Sequence, residues 1–206
     1  YEDYEILILP NIEPSSLESV FINDRLKIIA SGAVSPAIKR DMGAEQAKFE
    51  YLAFLDDDAY PPSEWLQVAN KTFSDKNVVA IGGPGVTPLR SSLKETVSGL
   101  FYETLIGGGG LAYRYRPAKE GFYVEDYPSV NLIVRKDAFI EVGGFDNSFW
   151  PGEDTKLCLD LIKAGYKIWY EPTLLVYHHR RPTFLEHFKQ VGGYGLHRGY
   201  FAKIFP

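Results

Sequence analysis

Tyr51-Leu52-Ala53-Phe54-Leu55 runs straight into Asp56-Asp57-Asp58, and Pro61-Pro62 then forbids the strand to go on. The five apolar residues have the length of a strand, so they read as the buried centre of a sheet. The three acids cannot share that environment. Side by side they repel, and they are stable only where water solvates them or a cation neutralises them. A chain of this kind must carry its central strand out of the core at a cleft and leave the carboxylates there.

The flanking sequence supplies the rest of a sheet. Glu5-Ile6-Leu7-Ile8-Leu9, ended by Pro10-Asn11, and Leu26-Lys27-Ile28-Ile29-Ala30, ended by Ser31-Gly32, are predicted buried strands. Ser35-Pro36 has the form of an N-cap followed by proline at the first helical position. That helix is expected to reach about Lys48, with Ile38 and Met42 on one stripe. Ser63 is expected to cap a second helix whose inward face is Trp65, Ala69 and Phe73. Val78-Val79-Ala80-Ile81 is a further strand, stopped by Gly82-Gly83-Pro84-Gly85. Short apolar strands alternating with helices imply βαβ units. The expected class is therefore α/β, a mostly parallel sheet flanked by helices.

Residues 86–128 show no sustained period and are expected to be loops and short helices, with Gly107 to Gly110 as a mobile lid. Val130 to Val134 reads as a strand, and Arg135 to Ile140 as a short helix ended by Gly143-Gly144. Glu153 to Ala164 is an amphipathic helix with Leu157, Cys158, Leu161 and Ile162 on one face and Gly165 just past its end. Strands follow at Lys167 to Tyr170 and Leu174 to Tyr177. Thr183-Phe184-Leu185-Glu186 has capping-box spacing, and its helix presents Phe184, Leu185, Phe188 and Val191 before an expected break at Gly192-Gly193. The chain thus divides into a body, 1–181, and an amphipathic helical tail, 182–206.

The net charge of -5 is unevenly spread. From His178 onward Arg180, Arg181, Lys189, Arg198 and Lys203 face Glu186 alone, which is +4 and leaves -9 on the body. An acidic body argues against nucleic acid as a partner. The basic, aromatic tail fits a helix lying on a membrane surface, with core packing of the same face as the alternative. The single cysteine, Cys158, excludes an intrachain disulfide and points to a reducing, cytoplasmic compartment. No apolar run approaches the roughly 18 residues of a membrane span, and no signal-peptide pattern is present.

Four places could carry chemistry. Asp56 and Asp58 stand two apart, on one side of an extended chain, with Asp57 on the other. They suit a divalent cation that grips a diphosphate; a plain acidic turn ahead of Pro-Pro is the alternative. Lys39 and Arg40 sit in the first turn of their helix, where cations oppose the macrodipole unless an anion docks there. Arg40 is the preferred phosphate or nucleotide contact, and pairing with Asp41 or Glu45 the alternative. Glu153 and Asp154 open a helix, where the dipole alone favours acids. Trp150-Pro151-Gly152 beside them would also shield a carboxylate and raise its pKa, as a general base requires. His178-His179 closes a strand, where an imidazole can join carboxylates around a Mn²⁺-like ion; surface pairing is the alternative.

Taken in order, five stretches resemble the family 2 glycosyltransferases, which have the GT-A nucleotide-sugar fold. They are Pro36 to Gly43, Phe54-Leu55-Asp56-Asp57-Asp58, Asn131 to Lys136 with Val142-Gly143-Gly144-Phe145-Asp146, Gly152-Glu153-Asp154-Thr155-Lys156-Leu157, and Val176-Tyr177-His178-His179-Arg180. The tail from Gln190 to Arg198 is similar to that of membrane-associated members that build polysaccharides or glycolipids. The resemblance implies an inverting transferase at the cytoplasmic face of a membrane. It would move a sugar from a UDP- or GDP-linked donor to a hydroxyl of a lipid-linked or growing saccharide, with Mn²⁺ or Mg²⁺. It implies that Asp56 and Asp58 hold the metal and the donor, with Asp57 on the donor side. Asp154 would be the catalytic base with Glu153 beside it, and His178 or His179 would complete the metal site. Arg40 and Lys39 would lie on the nucleotide side, and Gln190 and Arg198 near the donor phosphates. Family members carry a strand and helix ahead of the strand that Tyr4 to Leu9 resembles, so the first βα unit is expected to be missing. The rival readings are a truncated, non-catalytic nucleotide- and metal-binding module and a metal-dependent phosphohydrolase.

Overall fold

The computed structural model describes residues 3–14, 24–149, 151–181 and 185–205, without the side chains of 185–190, 194 and 198. Strands β1 (Ile6–Ile8) and β2 (Leu26–Ile28) pair in parallel. Helix α1 (Pro36–Gln46) begins where the Ser35 hydroxyl accepts from the Ile38 N–H, with proline at the start. It buries the small residues Ala37, Gly43 and Ala44 rather than an Ile38/Met42 stripe, because Leu9 approaches Gly43 too closely for a larger side chain to fit without adjustment. Strand β3 (Tyr51–Leu55) follows, and then β4 (Ala59–Tyr60) immediately beyond the acids. Helix α2 (Trp65–Thr72) buries Trp65 and Ala69, with Phe73 just past it. Ser63 does not cap it: Glu64 is the N-cap residue, and the Ser63 hydroxyl donates to the Glu64 carboxylate instead (2.7 Å).

Next come β5 (Val78–Gly82), β6 (Gly85–Val86), helix α3 (Leu93–Glu103), a 3-10 turn over Gly109–Arg114 and β7 (Phe122–Val124). The chain continues through β8 (Asn131–Arg135), α4 (Lys136–Glu141), α5 (Glu153–Lys163), β9 (Lys167–Tyr170), β10 (Val176–His178) and α6 (Leu185–Ile204). Helix α3 lies where loops and short helices are expected. Its capping box is complete: the Ser92 hydroxyl accepts from the Glu95 N–H, and the Glu95 carboxylate accepts from the Ser92 N–H. Helix α6 runs through Gly192-Gly193 without a break, since a glycine in a helix costs about 1 kcal/mol and removes no hydrogen bond. Thr183 and Phe184 fall outside the described residues, as do the side chains of Leu185 and Phe188. Near its end, α6 returns to the body, where Phe149 packs on Phe201 and Phe205 (ring centroids 6.0 and 5.7 Å).

The sheets are mixed rather than mostly parallel. The main sheet has the order β3-β8-β5-β9-β7, and only β5 and β9 are parallel in it. Alternating strands and helices predict parallel crossovers only where one helix joins two neighbours. Here β8 enters between β3 and β5 after the long 86–128 excursion, and it enters reversed. The second sheet, β4-β10-β6, carries the site. Asn131, fully buried, ties the two together: it accepts from Trp65 Nε1 (3.1 Å) and donates to the carbonyls of Gly83 (2.8 Å) and Leu174 (2.6 Å). Asn131→Ala strands three polar groups in the core, each worth roughly 1–3 kcal/mol when orphaned. The expected loss is about 3 kcal/mol, read as a lower urea midpoint at unchanged m-value.

Strand β1 is not buried as its apolar run predicts: Ile6 and Ile8 are almost half exposed. Ile6 and Ile8 bond to the β2 side, so the backbone of Leu7 faces the other way. On β3, the Lys136 N–H donates to the Glu50 carbonyl, which turns residues 51, 53 and 55 away from β8. The outward edges of β1 and β3 both line one large cavity.

Candidate active site

β4 decides where the acids lie. Asp56 to Asp58 make a tight turn closed by the Ala59 N–H on the Asp56 carbonyl (3.1 Å), and β4 then pairs antiparallel with β10, Ala59 opposite His178. This pairing brings an imidazole from residue 178 against a carboxylate from residue 58: His178 Nε2 lies 3.1 Å from Asp58 Oδ1. Asp56, Asp58 and His178 each offer a ligand atom within 4.8 Å of the others. Asp57 points to solvent. His179 turns the opposite way, toward Glu95 on α3 (3.3 Å), as alternate residues of an extended chain must. The His178 imidazole holds the Asp58 carboxyl below the usual carboxylate range, so it is an anion at neutral pH.

Two carboxylates and an imidazole suit Mn²⁺, and suit the all-oxygen preference of Mg²⁺ less well. Arg180 refines that fit. Its Nη1 donates to His178 Nδ1 (2.9 Å), which places the proton of a neutral ring on Nε2, facing Asp58. A cation at Nε2 therefore requires the ring proton to move to Nδ1 and Arg180 to release it. Arg180 itself is buried against Tyr115 and Tyr102 and donates to the Gly85 carbonyl.

The second acidic site opens α5. Gly152, at φ 140°, lets the chain enter the helix with no side-chain cap, and the two acids follow at once. Glu153 is buried and bound by Arg40 (2.7 Å), whose other nitrogen holds Asp56 (2.9 Å). Arg40 thus clamps the two acidic segments together, and its guanidinium is occupied by carboxylates in this structure. Lys39 donates to the Leu9 carbonyl (3.1 Å) and to Asn11 (2.6 Å) at the end of β1. Gln190 and Arg198 belong to α6, but their side chains lie outside the described residues, as does Trp150.

Asp154 stays partly open to the cleft. Its carboxylate accepts from the Ser129 (3.2 Å) and Thr155 (2.8 Å) N–H groups, yet its pKa is pushed up to about 6. Burial is the main cause, and the like charges of Glu153 and Asp126 add to it. Asp126 is in turn paired with the buried Arg114 (3.0 Å). Asp126, Arg114, Ser129 and Arg180 all line the cleft, and none is marked by a sequence signal except Arg180, which belongs to the strand-end motif. Asp56, Asp58, His178 and Asp154 line the same cleft. The Gly-Gly-Phe stretch, by contrast, is architectural: Gly143 and Gly144 take positive φ (89° and 73°), and Asp41 receives the Phe145 N–H at 2.9 Å.

The acids follow an edge strand, β3, rather than the expected buried centre of the sheet, and the candidate cation site faces a carboxylate of raised pKa across one cleft. The chain belongs to the glycosyltransferase like family 2, whose family model matches residues 2–203. It is 32% identical over 160 residues to a pre-mycofactocin glycosyltransferase of Mycobacterium tuberculosis, covering 78% of this chain and 33% of that protein. It is 23% identical over 212 residues to a Methanococcus voltae dolichyl N-acetyl-alpha-D-glucosaminyl phosphate 3-beta-D-2,3-diacetamido-2,3-dideoxy-beta-D-glucuronosyltransferase, covering 96% and 64%. The chain thus spans between a third and two-thirds of these relatives' length. Its fold matches GalNAc-T7, solved with UDP, GalNAc and Mn²⁺, at a TM-score of 0.61 and 14% identity over 85% of this chain and 38% of the other.

Proposed function

We propose that this chain transfers a sugar from a UDP- or GDP-linked donor, with inversion, onto a hydroxyl of a lipid-linked or growing saccharide. The observation that carries this reading is Asp154: a carboxylate of raised pKa, open to the cleft that Asp56, Asp58 and His178 line from the other side. Asp154 takes the proton of the acceptor hydroxyl as its oxygen attacks the anomeric carbon. The bond from that carbon to the diphosphate breaks, and its electron pair leaves with the diphosphate. Asp56, Asp58 and His178 would hold Mn²⁺ or Mg²⁺, which when bound would supply positive charge against that diphosphate. Arg40 keeps Glu153 and Asp56 in place, and we assign Lys39, Asp57, Gln190 and Arg198 to the donor side on the family resemblance. The dolichyl-linked substrate named for the Methanococcus relative supports a lipid-linked acceptor.

The outward edges of β1 and β3 support a further strand between them, the place of a first βα unit that would complete the donor pocket. The same edges favour the second reading, a module that binds metal and nucleotide without turnover. Titration with UDP- and GDP-sugars, with and without Mn²⁺, separates the two when followed by an acceptor assay. Metal-dependent binding with transfer is expected. Binding without transfer selects the module, and metal binding with no nucleotide affinity sinks the donor assignment.

A further inference from the structure

Arg114, the last residue of the 3-10 turn, is a charged side chain that is only 8% exposed. A buried charge is costly unless it is paired and hydrogen-bonded. Arg114 Nη2 donates twice to one residue, to the Asp126 carbonyl (2.6 Å) and to the Asp126 carboxylate (3.0 Å). The guanidinium also lies over the Tyr113 and Tyr127 rings (5.9 and 5.5 Å to the centroids). These contacts fix the start of the segment from Asp126 to Ser129 that leads into β8. That segment lies along α5: the Tyr127 N–H donates to Cys158 Sγ (3.3 Å) and the Ser129 N–H to Asp154 Oδ2 (3.2 Å). Residues 154 and 158 are one turn apart on one face of the helix, so two N–H groups of the segment meet one stripe of α5. The Thr155 N–H on Asp154 comes from α5 itself, whereas Ser129 holds the carboxylate from outside the helix.

We propose that Arg114 is a positioning residue for the base: by gripping Asp126 it sets where the Ser129 N–H, and with it the Asp154 carboxylate, stands in the cleft. The consequence for catalysis rests on the transferase reading of Asp154; the tether itself does not. The same pair also sets the charge that Asp154 meets. Glu153 beside it on α5 is neutralised by Arg40, and Cys158 lies one turn along the helix. Asp126 acts on it from the facing segment, with Arg114 as its counter-ion. Removing the charge of Asp126 therefore eases the ionisation of Asp154, and removing that of Arg114 hinders it.

The test compares Arg114→Met, Arg114→Lys and Asp126→Asn with the wild type in the full chain. Methionine keeps most of the buried stem. Tyr127, whose ring lies too close to Gly82 for any Cβ there, holds the middle of the segment, so the variants should keep the wild-type circular dichroism spectrum. Arg114→Met is expected to lower kcat about 10–100-fold, the effect of a displaced reacting group, with Mn²⁺-dependent nucleotide affinity unchanged. Arg114→Lys, which keeps the charge and a donor, should recover most of that loss. The acidic limb of the kcat/KM profile should move down by on the order of one pH unit in Asp126→Asn, whose amide oxygen still accepts from Arg114, and up in Arg114→Met. A merely structural role predicts no such split. Hydrogen exchange at the Ser129 amide, which needs no turnover, should be about tenfold faster in Arg114→Met. Undiminished kcat in Arg114→Met, a parallel loss of kcat and nucleotide affinity, or unchanged Ser129 exchange overturns the proposal. An unmoved limb in Asp126→Asn does so too, and it decides the matter if Arg114→Met does not fold. A wild type that binds nucleotide but transfers no sugar removes the transferase reading, and Ser129 exchange then decides the tether by itself.

Discussion

Asp154→Asn is expected to lower kcat by about 10²–10⁴ with donor affinity unchanged, the usual worth of a general base. It should also make the fold more stable at neutral pH. Burial and two like charges raise the Asp154 pKa from 3.8 to about 6, so the ionised form is held at a cost in the folded state. The sign follows from linkage: the unfolded chain releases this proton more readily, so the penalty is absent below about pH 4 and complete above about pH 6. Two pK units correspond to about 3 kcal/mol as an upper bound, at 1.36 kcal/mol each. Partial exposure lowers that figure. Asparagine also loses one of the two N–H contacts from Ser129 and Thr155, worth about 1 kcal/mol. A net gain on the order of 1 kcal/mol at pH 8, vanishing near pH 4, is the expected difference between paired denaturation curves. In the wild type, kcat/KM should fall about tenfold per unit below pH 6. Unchanged turnover in Asp154→Asn would remove the residue from the reaction.

Asp58→Ala and His178→Ala are expected to abolish the Mn²⁺-dependent part of nucleotide binding, a loss of about 10²-fold or more. Even residues that only support metal ligands cost 10–100-fold when changed. Asp58 is half-exposed and His178 lines the cleft rather than the core, so the circular dichroism spectrum should be that of the wild type. His179→Ala is the informative comparison. It touches Glu95 rather than the acids and should leave metal dependence intact. Equal losses at 178 and 179 would mean that the cation does not sit where Asp56, Asp58 and His178 converge.

Much of this arrangement is legible in the chain because it is local. The apolar run ending in three acids, the Ser35-Pro36 helix start and the α5 stripe each follow from contacts within a few residues. The capping box at Ser92 is equally local, and it marks α3 despite the absence of a clear period around it. The exposed leucines of α3 explain that absence: a helix whose outer face is as apolar as its inner one has a weak amphipathic signal.

The sequence alone determined the longer strands and most of the helices, α3 and the two-residue strands excepted, and that carboxylates must leave the core at residue 56. Only the tertiary structure decided which groups meet them there. A two-residue strand, too short to register as a pattern, pairs with β10 and selects His178 over His179. Arg40 crosses from α1 to join Asp56 and Glu153, and Asp126 reaches Asp154 to help lift its pKa. Strand direction also belonged to the fold, since β8 enters the sheet reversed after an excursion whose path no local preference specifies. Backbone propensity acts over a few residues, whereas pairing, charge coupling and burial act between segments brought together only by folding.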